Sequence, residues 1–268
     1  MANHKILYIC QEIIPYLPES EESTLCRSLM QAMQERGNEI RTFMPRYGSI
    51  NERRNQLHEV IRLSGMNLII DDNDHQLIIK VASIQSARIQ VYFIDNDDYF
   101  SRKAVLTDEN GVAFEDNDER MVFFARGVLE TVKKLRWTPT VVHCHGWFSA
   151  IAPIYLRKMF DSDPIFKDVK IVVSLYDDAF EGELRKSLCQ SIENEGMADE
   201  NISIIESPSY ENLYRYVMKY VDGVVIGSAN VKAALVEEIR QMGKPVLEYC
   251  DKESENFYEN YDKFYDEL

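Results

Sequence analysis

Residues 5–47 switch between the period of a strand and the period of a helix, and that alternation leaves few folds open. Lys5–Cys10 (KILYIC) is a short apolar run with β-branched and aromatic residues, the composition of a buried strand. Leu25, Leu29, Met33 and Arg36 recur at helical spacing, and Gly37 stands where a helix C-cap belongs. Glu39–Met44 reads as a second strand. Strand, loop, helix and strand within about forty residues make a right-handed βαβ unit, the opening of a doubly wound, mostly parallel α/β sheet. Ligands of such sheets sit outside the carboxyl ends of the strands, so the loop Glu12–Ser23 is expected to line any site.

Length and charge narrow the class further. At 268 residues the chain makes one large or two small domains. No apolar run approaches 18 residues, which argues against a membrane span, and the N-terminal residues lead straight into a strand rather than a secretory signal. Five scattered cysteines with no C-x-x-C pair read as reduced thiols of a cytoplasmic protein. The net charge of −15 argues against nucleic acid and anionic membranes as partners. It also disfavours phosphorylated ligands unless a local basic pocket offsets the field.

The chain then continues in the same idiom. Short alternating runs at His58–Leu63, Met66–Ile70, Gln76–Ile84 and Arg88–Ile94 read as a small antiparallel insertion spanning about 50–94, with a turn at Asp71–Asp74. Asp95–Asp98 lack the glycine and distal glutamate of a calcium loop, so a polar loop at a strand end is expected there. Asp116–Arg136 is helical, capped by Asn117 or Asp118, with Met121, Phe124, Val128, Leu129 and Val132 as its apolar stripe. His143 and His145, two apart on a strand, share one face. No third ligand is evident, so a hydrogen-bonded pair under the crevice is expected rather than a metal. Lys170–Tyr176 is a buried strand, Glu183–Ser207 a polar helical stretch broken at Gly196, and Tyr210–Tyr220 an aromatic-rich helix. Val224–Ser228 is a strand followed by a helix, and Pro245–Tyr249 a short last strand. These elements form one Rossmann-like domain over residues 1–250. Residues 251–268 form an acidic amphipathic helix whose face carries Phe257, Tyr258, Tyr261, Phe264, Tyr265 and Leu268. That face either covers the domain's own surface or docks a protein partner or a second copy.

Three blocks carry a family resemblance. Glu12, Pro15, Tyr16, Arg36-Gly37 and Met44-Pro45-Arg46-Tyr47 fit the form E-x-x-P-F…R-G-H…M-P-R-Y. Trp137, Pro139, Val141, Val142, His143, His145, Trp147, Pro153, Tyr155 and Leu156 fit W-x-P-D-V-V-H-x-H-D-W-H-x-x-L-x-P-x-Y-L. Tyr220–Ile239 fits a third block, and Gln90–Phe100 and Arg120–Arg126 fit lesser ones. In these the chain resembles the N-terminal catalytic domain of bacterial glycogen synthases and plant starch synthases, glycosyltransferases of the GT-B fold. The resemblance implies retaining glucosyl transfer from ADP-glucose to an α-1,4-glucan, no cofactor, and a glucan or sugar-nucleotide ligand. It implies candidate catalytic remnants at Glu12, His143, His145 and Tyr176, and substrate contacts at Tyr99, Asp177 and Ser228.

The departures from that pattern fall at the crevice. The family's K-T-G-G-L, which brings a lysine and two glycine N–H groups to a diphosphate, is here Pro18, Glu19, Ser20, Glu21 and Glu22. Like charges a few Å apart cost roughly 4 kcal/mol at an effective dielectric near 20, so a diphosphate meets repulsion there. Gly146 replaces the family's aspartate, Phe148 a histidine, and Tyr176 the histidine that contacts the donor sugar. A complete GT-B enzyme continues into a second Rossmann domain; this sequence has an acidic tail at that point. A non-catalytic or accessory homologue in glycan metabolism is therefore expected. The alternatives are a transferase completed by a partner chain and a small-molecule sensor built on the altered crevice.

Overall fold

A computed structural model describes residues 3–268. The strands are β1 (Lys5–Cys10), β2 (Glu39–Pro45), β3 (His58–Glu59), β4 (Met66–Ile70), β5 (Asn73–Ile84), β6 (Ile89–Asp95), β7 (Val141–His145), β8 (Lys170–Leu175), β9 (Gly223–Ile226) and β10 (Val246–Leu247). The helices are α1 (Glu21–Glu35), α2 (Asp97–Phe100), α3 (Asn117–Leu135), α4 (Ala152–Lys158), α5 (Ser187–Asn194), α6 (Tyr210–Val217), α7 (Ala233–Gln241) and α8 (Phe257–Glu267). The sheet runs β10-β9-β8-β7-β1-β2-β6-β5-β3, with β4 paired to β5. From β10 through to β6 every neighbour is parallel. The chain winds outward from β1 through β2 to β6, then returns to β7 and winds the other way. The order therefore reverses between β1 and β7, and the crevice of a doubly wound sheet opens there. The expected α/β fold is the observed one.

Local chemistry explains the element ends. Every residue of β1 from Ile6 to Cys10 is fully buried, as are Val142 to His145 of β7, so near-continuous apolar runs form the sheet's centre. Ser20 caps α1 through a reciprocal pair of bonds with Ser23. At the other end Gly37, at φ +95°, donates to Gln34 O while Asn38 N–H reaches Met33 O, the Schellman arrangement that glycine permits. The cap expected of Asn117 or Asp118 on α3 is corrected: the flanking residue is Asp116, and no side chain caps the turn. Competition explains this, because Arg102 holds Asp116, Asn117 binds Leu106 O and Arg120, and Asp118 is drawn to Arg185 and Ser187.

The insertion is smaller than its apolar runs imply. β3 keeps only His58 and Glu59 of the expected strand. Asp71 and Asp72, both at positive φ, form a two-residue turn that pairs Ile70 with Asn73, so Asn73 and Asp74 belong to β5. β6 pairs parallel to β2 and is part of the main sheet. The expected helical stretch Glu183–Ser207 contains α5 and a separate short 3₁₀ turn at Ile202–Glu206, parted at Gly196, which adopts φ +71°.

The last helix closes one face of the sheet. Phe257, Tyr261, Phe264 and Tyr265 are buried. The Tyr265 hydroxyl lies 2.7 Å from His143 Nδ1 and 3.2 Å from the Tyr8 hydroxyl. Gly223 of β9 is the point of close approach, since a Cβ there would lie 2.8 Å from Phe264 and Leu268 side-chain atoms. Of the two roles expected of this helix, its four buried side chains serve the first, covering the domain's own surface. Its aromatic face is turned onto its own domain, because that contact removes the apolar side chains from water and partners the His143 imidazole at once.

Candidate functional site

The site grows from the turn that joins the carboxyl ends of β1 and β7. Gln11 N–H donates to His145 O at 3.1 Å, and the Gln11 side-chain oxygen accepts Phe148 N–H at 3.0 Å. Ser149 Oγ closes the turn on His145 O at 2.8 Å. Gly146 adopts φ +78°, a conformation that costs a side-chain-bearing residue strain. Above this turn lies a cavity of about 790 Å³. Its walls come from Gln11 and Glu12, the first turn of α1, Trp147, the segment 176–186 and the loop 106–117. Trp147 and Phe180 meet at 4.7 Å between ring centroids, giving the cavity an aromatic wall.

Three of the carboxyl groups that line the cavity belong to Glu12, Glu22 and Asp178. Glu22 is 4% exposed and lines the cavity, with Oε1 accepting the Glu12 N–H at 3.3 Å. Asp178 Oδ2 accepts Trp147 N–H at 2.9 Å and Oδ1 accepts the Tyr210 hydroxyl at 2.8 Å. Glu12 Oε2 accepts the Ser20 hydroxyl at 2.9 Å. Burial, followed by the nearby Asp178 and Glu12, holds the Glu22 carboxyl well above the usual range. Burial also pushes Asp178 up to about 6, against the opposing pull of its Trp147 and Tyr210 hydrogen bonds. Within the loop 12–23, Ser20 caps the helix and Glu21 sits in its first turn, whereas Glu22 turns inward.

Its position has a specific meaning. A Cβ at residue 146 would stand 2.7 Å and 2.8 Å from the two Glu22 carboxylate oxygens. Gly146 is where the resembling family carries aspartate, so α1 brings a carboxyl group to the place a side chain from β7 would fill. A carboxyl group therefore stands next to residue 146 although residue 146 itself carries none. Neither residue reveals this separately; the signal in sequence is the joint appearance of a glycine at one position and a glutamate at the other.

The sequence-derived residues divide into three groups. Glu12, Tyr176 and Asp177 line the cavity. His143 and His145 lie beneath it, fully buried, with ring centroids 4.0 Å apart. His143 is held between Ser174 Oγ and Tyr265 OH at 2.7 Å each, and His145 Nδ1 is 2.6 Å from the Tyr176 hydroxyl. Burial lowers His145 to about 3 and His143 well below its ordinary value, so both rings stay neutral through the physiological range. Burial likewise holds the Tyr176 phenol far above its usual value. Tyr99 and Ser228 are not on the cavity wall. The Tyr99 hydroxyl donates to Glu119 at 2.9 Å and meets His75 at 3.0 Å, while Ser228 Oγ accepts the Asn230 N–H.

Positive charge at this site is scarce. Arg185 is held by Asp118 and Glu119, and it and Lys186 are the only cationic residues among those lining the cavity, against eight carboxylates. The arrangement can accept hydrogen bonds and stack flat apolar groups. It offers little to a dianionic phosphate.

Comparison with known proteins places this geometry. Residues 5–245 match the model of the starch synthase catalytic domain. The chain is 39% identical over 175 residues to the glycogen synthase of Chlorobium limicola, covering 65% of this chain and 36% of that protein. It is 34% identical over 204 residues to the glycogen synthase of Chlorobaculum tepidum, covering 72% and 42%. The chain therefore spans well under half the length of these relatives. The catalytic domain of starch synthase IV from Arabidopsis thaliana, solved with ADP and acarbose, superposes with a TM-score of 0.73 at 15% identity, over 93% of this chain and 52% of that one. Among the described residues no helix is long and apolar enough to cross a membrane. With its matched motifs spread from β1 to the last strand, the chain belongs to the starch synthase catalytic domain family.

Proposed function

We propose that this chain is a non-catalytic, accessory member of its family in glucan metabolism, and that its crevice holds a small molecule other than a nucleotide sugar. The observation that carries this reading is the buried Glu22 carboxyl, set beside Glu12 and Asp178 with no basic side chain among their hydrogen-bond partners. Stabilising a departing diphosphate is a large electrostatic demand in glycosyl transfer from a nucleotide sugar, and a floor of carboxyl groups works against it. The neutral, buried His143 and His145 and the hydrogen-bonded Tyr176 act as a rigid support for the crevice. The cavity of about 790 Å³ and its Trp147–Phe180 wall support small-molecule binding over a purely structural role.

The test is to incubate the purified chain with ADP-glucose and glycogen and to titrate it separately with ADP-glucose. No glucose transfer and no saturable nucleotide-sugar binding are expected. Turnover that disappears in Glu12→Ala or His145→Ala overturns the proposal. The same assay repeated with a full-length glycogen synthase from the same cells examines completion by a partner chain.

A further inference from the structure

Resting on the reading that the crevice no longer serves a nucleotide sugar, we infer that it is a binding site for an organic cation, an ammonium group on an aliphatic or sugar body, with Glu22 and Asp178 as its counter-charges.

The inference starts from an imbalance. Glu22 is nearly fully buried yet lines the cavity, and its only hydrogen bond from the described residues is the 3.3 Å contact of Oε1 with the Glu12 backbone. No hydrogen bond from those residues reaches Oε2. A buried carboxylate without a counter-charge is expensive, and it either takes up a proton or pairs with a cation. Asp178, oriented by Trp147 N–H and Tyr210, faces the same space. The titratable groups near this pair are Glu12, Cys10, Cys26, Tyr47, Tyr176, Tyr210 and Tyr214, none of them cationic. Of the two cations lining the cavity, Arg185 is already paired with Asp118 and Glu119, and Lys186 makes no ion pair or hydrogen bond with Glu22 or Asp178 among the described residues. Glu22 and Asp178 thus face a cavity of about 790 Å³, large enough to admit a small cation, with no side-chain cation among their own hydrogen-bond partners.

The walls refine the chemistry. Trp147 and Phe180 form an aromatic surface beside Asp178, through the Trp147 backbone contact, and such rings attract ammonium groups as well as the apolar stems that carry them. A bare metal ion finds no set of ligands: among the described residues no three His, Cys, Asp or Glu side chains converge as metal ligands. A neutral sugar satisfies hydrogen bonds but leaves the carboxyl groups without a counter-charge. An organic cation satisfies both the charge and the aromatic wall.

The experiment is calorimetric titration of the whole chain with putrescine, spermidine and glucosamine. The uncharged counterparts 1,4-butanediol and glucose, and ADP-glucose, serve as comparisons. Saturable binding of at least one amine, with its uncharged counterpart silent, is expected; the arm that binds separates a polyamine from an amino sugar. Affinity should fall about tenfold in Glu22→Gln and in Asp178→Asn, far more than loss of one charge among many changes a diffuse attraction. Binding should weaken from pH 8 to pH 5 and release protons, read as a heat that varies with buffer ionisation enthalpy. Thermal melts of both variants establish that they fold, and either one suffices if the other does not. The inference is overturned if no amine binds, if the diol or glucose binds as well as its amine, or if both variants bind as the parent does. Saturable binding of ADP-glucose instead overturns the accessory reading on which it rests, so the two failures are distinguishable.

Discussion

The carboxylate of Glu22 lies directly over the Cα of Gly146, at distances of 2.7 and 2.8 Å from where a Cβ would be. Two penalties follow for a side chain at 146: strain at φ +78° and collision with Glu22 and the Gln11 Cβ. Gly146→Ala should destabilise the fold by on the order of 3 kcal/mol, the sum of backbone strain and overpacking. In a Glu22→Ala background the collision with the carboxylate is gone while the backbone strain and the 2.9 Å contact with the Gln11 Cβ remain, so the cost should fall by about 1 kcal/mol. Urea denaturation of the four proteins in this cycle measures the coupling. Equal costs in both backgrounds sink the claim that Glu22 fills the place of a 146 side chain.

Stability should depend on pH through two opposed sets of groups, buried Glu22 with half-buried Asp178 and the buried pair His143 and His145. Glu22 and Asp178 are raised in the folded state, Asp178 to about 6, so their contribution is present at low pH and lost as pH rises through those values. His143 and His145 are depressed, His145 to about 3, so their contribution is present above about pH 6.5 and lost as pH falls. Glu22→Gln removes one member of the first set while keeping its shape. It should stabilise by roughly 1–3 kcal/mol at pH 8 and by little at pH 4, read from melting temperatures across that range. A gain that is equal at both ends rules out an ionisable cause.

The sheet was legible in sequence because its signals are local. KILYIC, the helical spacing to Gly37, and the strand ending Met44-Pro45 each report on a few adjacent residues, and the topology follows from connecting them. The site was legible only where residues lie at strand ends, as Glu12, Tyr176 and Asp177 do. Asp178 looked like one of several acids in a loop. Only the tertiary contact with Trp147 N–H and Tyr210 distinguishes it from Asp177, its exposed neighbour. Glu22 reads as first-turn decoration of a helix until β7 is placed beside it. The tail helix shows an aromatic face in sequence, but not which surface the face meets; the answer lay in glycine at 223 and a histidine at 143, far off in the chain.

That contact gives a prediction for α8. The Tyr265 hydroxyl meets both His143 Nδ1 and the Tyr8 hydroxyl in a region sealed from water. Tyr265→Phe leaves a buried ring nitrogen without its partner, a loss of roughly 1–3 kcal/mol. Amide exchange should accelerate in α8 before it does in β7, since the helix loses an anchor while the strand keeps its ladder. Unchanged stability and exchange count against the hydrogen bond as a tie between helix and sheet.

Arg120 fixes the far wall of the cavity. It is fully buried on α3, donating from Nε to Tyr99 O at 2.9 Å, from Nη1 to Asn117 Oδ1 at 2.6 Å and from Nη2 to Val105 O at 2.8 Å. Phe100, Phe114 and Phe148 surround the guanidinium at 5.3–5.7 Å. Burial lowers its pKa to about 10, still high enough to keep it charged at neutral pH. The fork thereby fastens the two ends of segment 99–105 to the helix that follows, and the chain beyond supplies Leu106, Thr107 and Phe114 to the cavity wall. Arg120→Met takes the donor from the Val105 carbonyl and from Asn117 Oδ1, leaves Tyr99 O only its 3.4 Å bond from Arg102 Nη2, and should destabilise by roughly 2–4 kcal/mol. Arg120→Lys should recover less than half, because a single ammonium cannot reach three separated acceptors. Limited proteolysis offers the sharper readout: both variants should be cut first between residues 101 and 116, while the parent resists. Cleavage elsewhere first shows that the wall is held by other contacts.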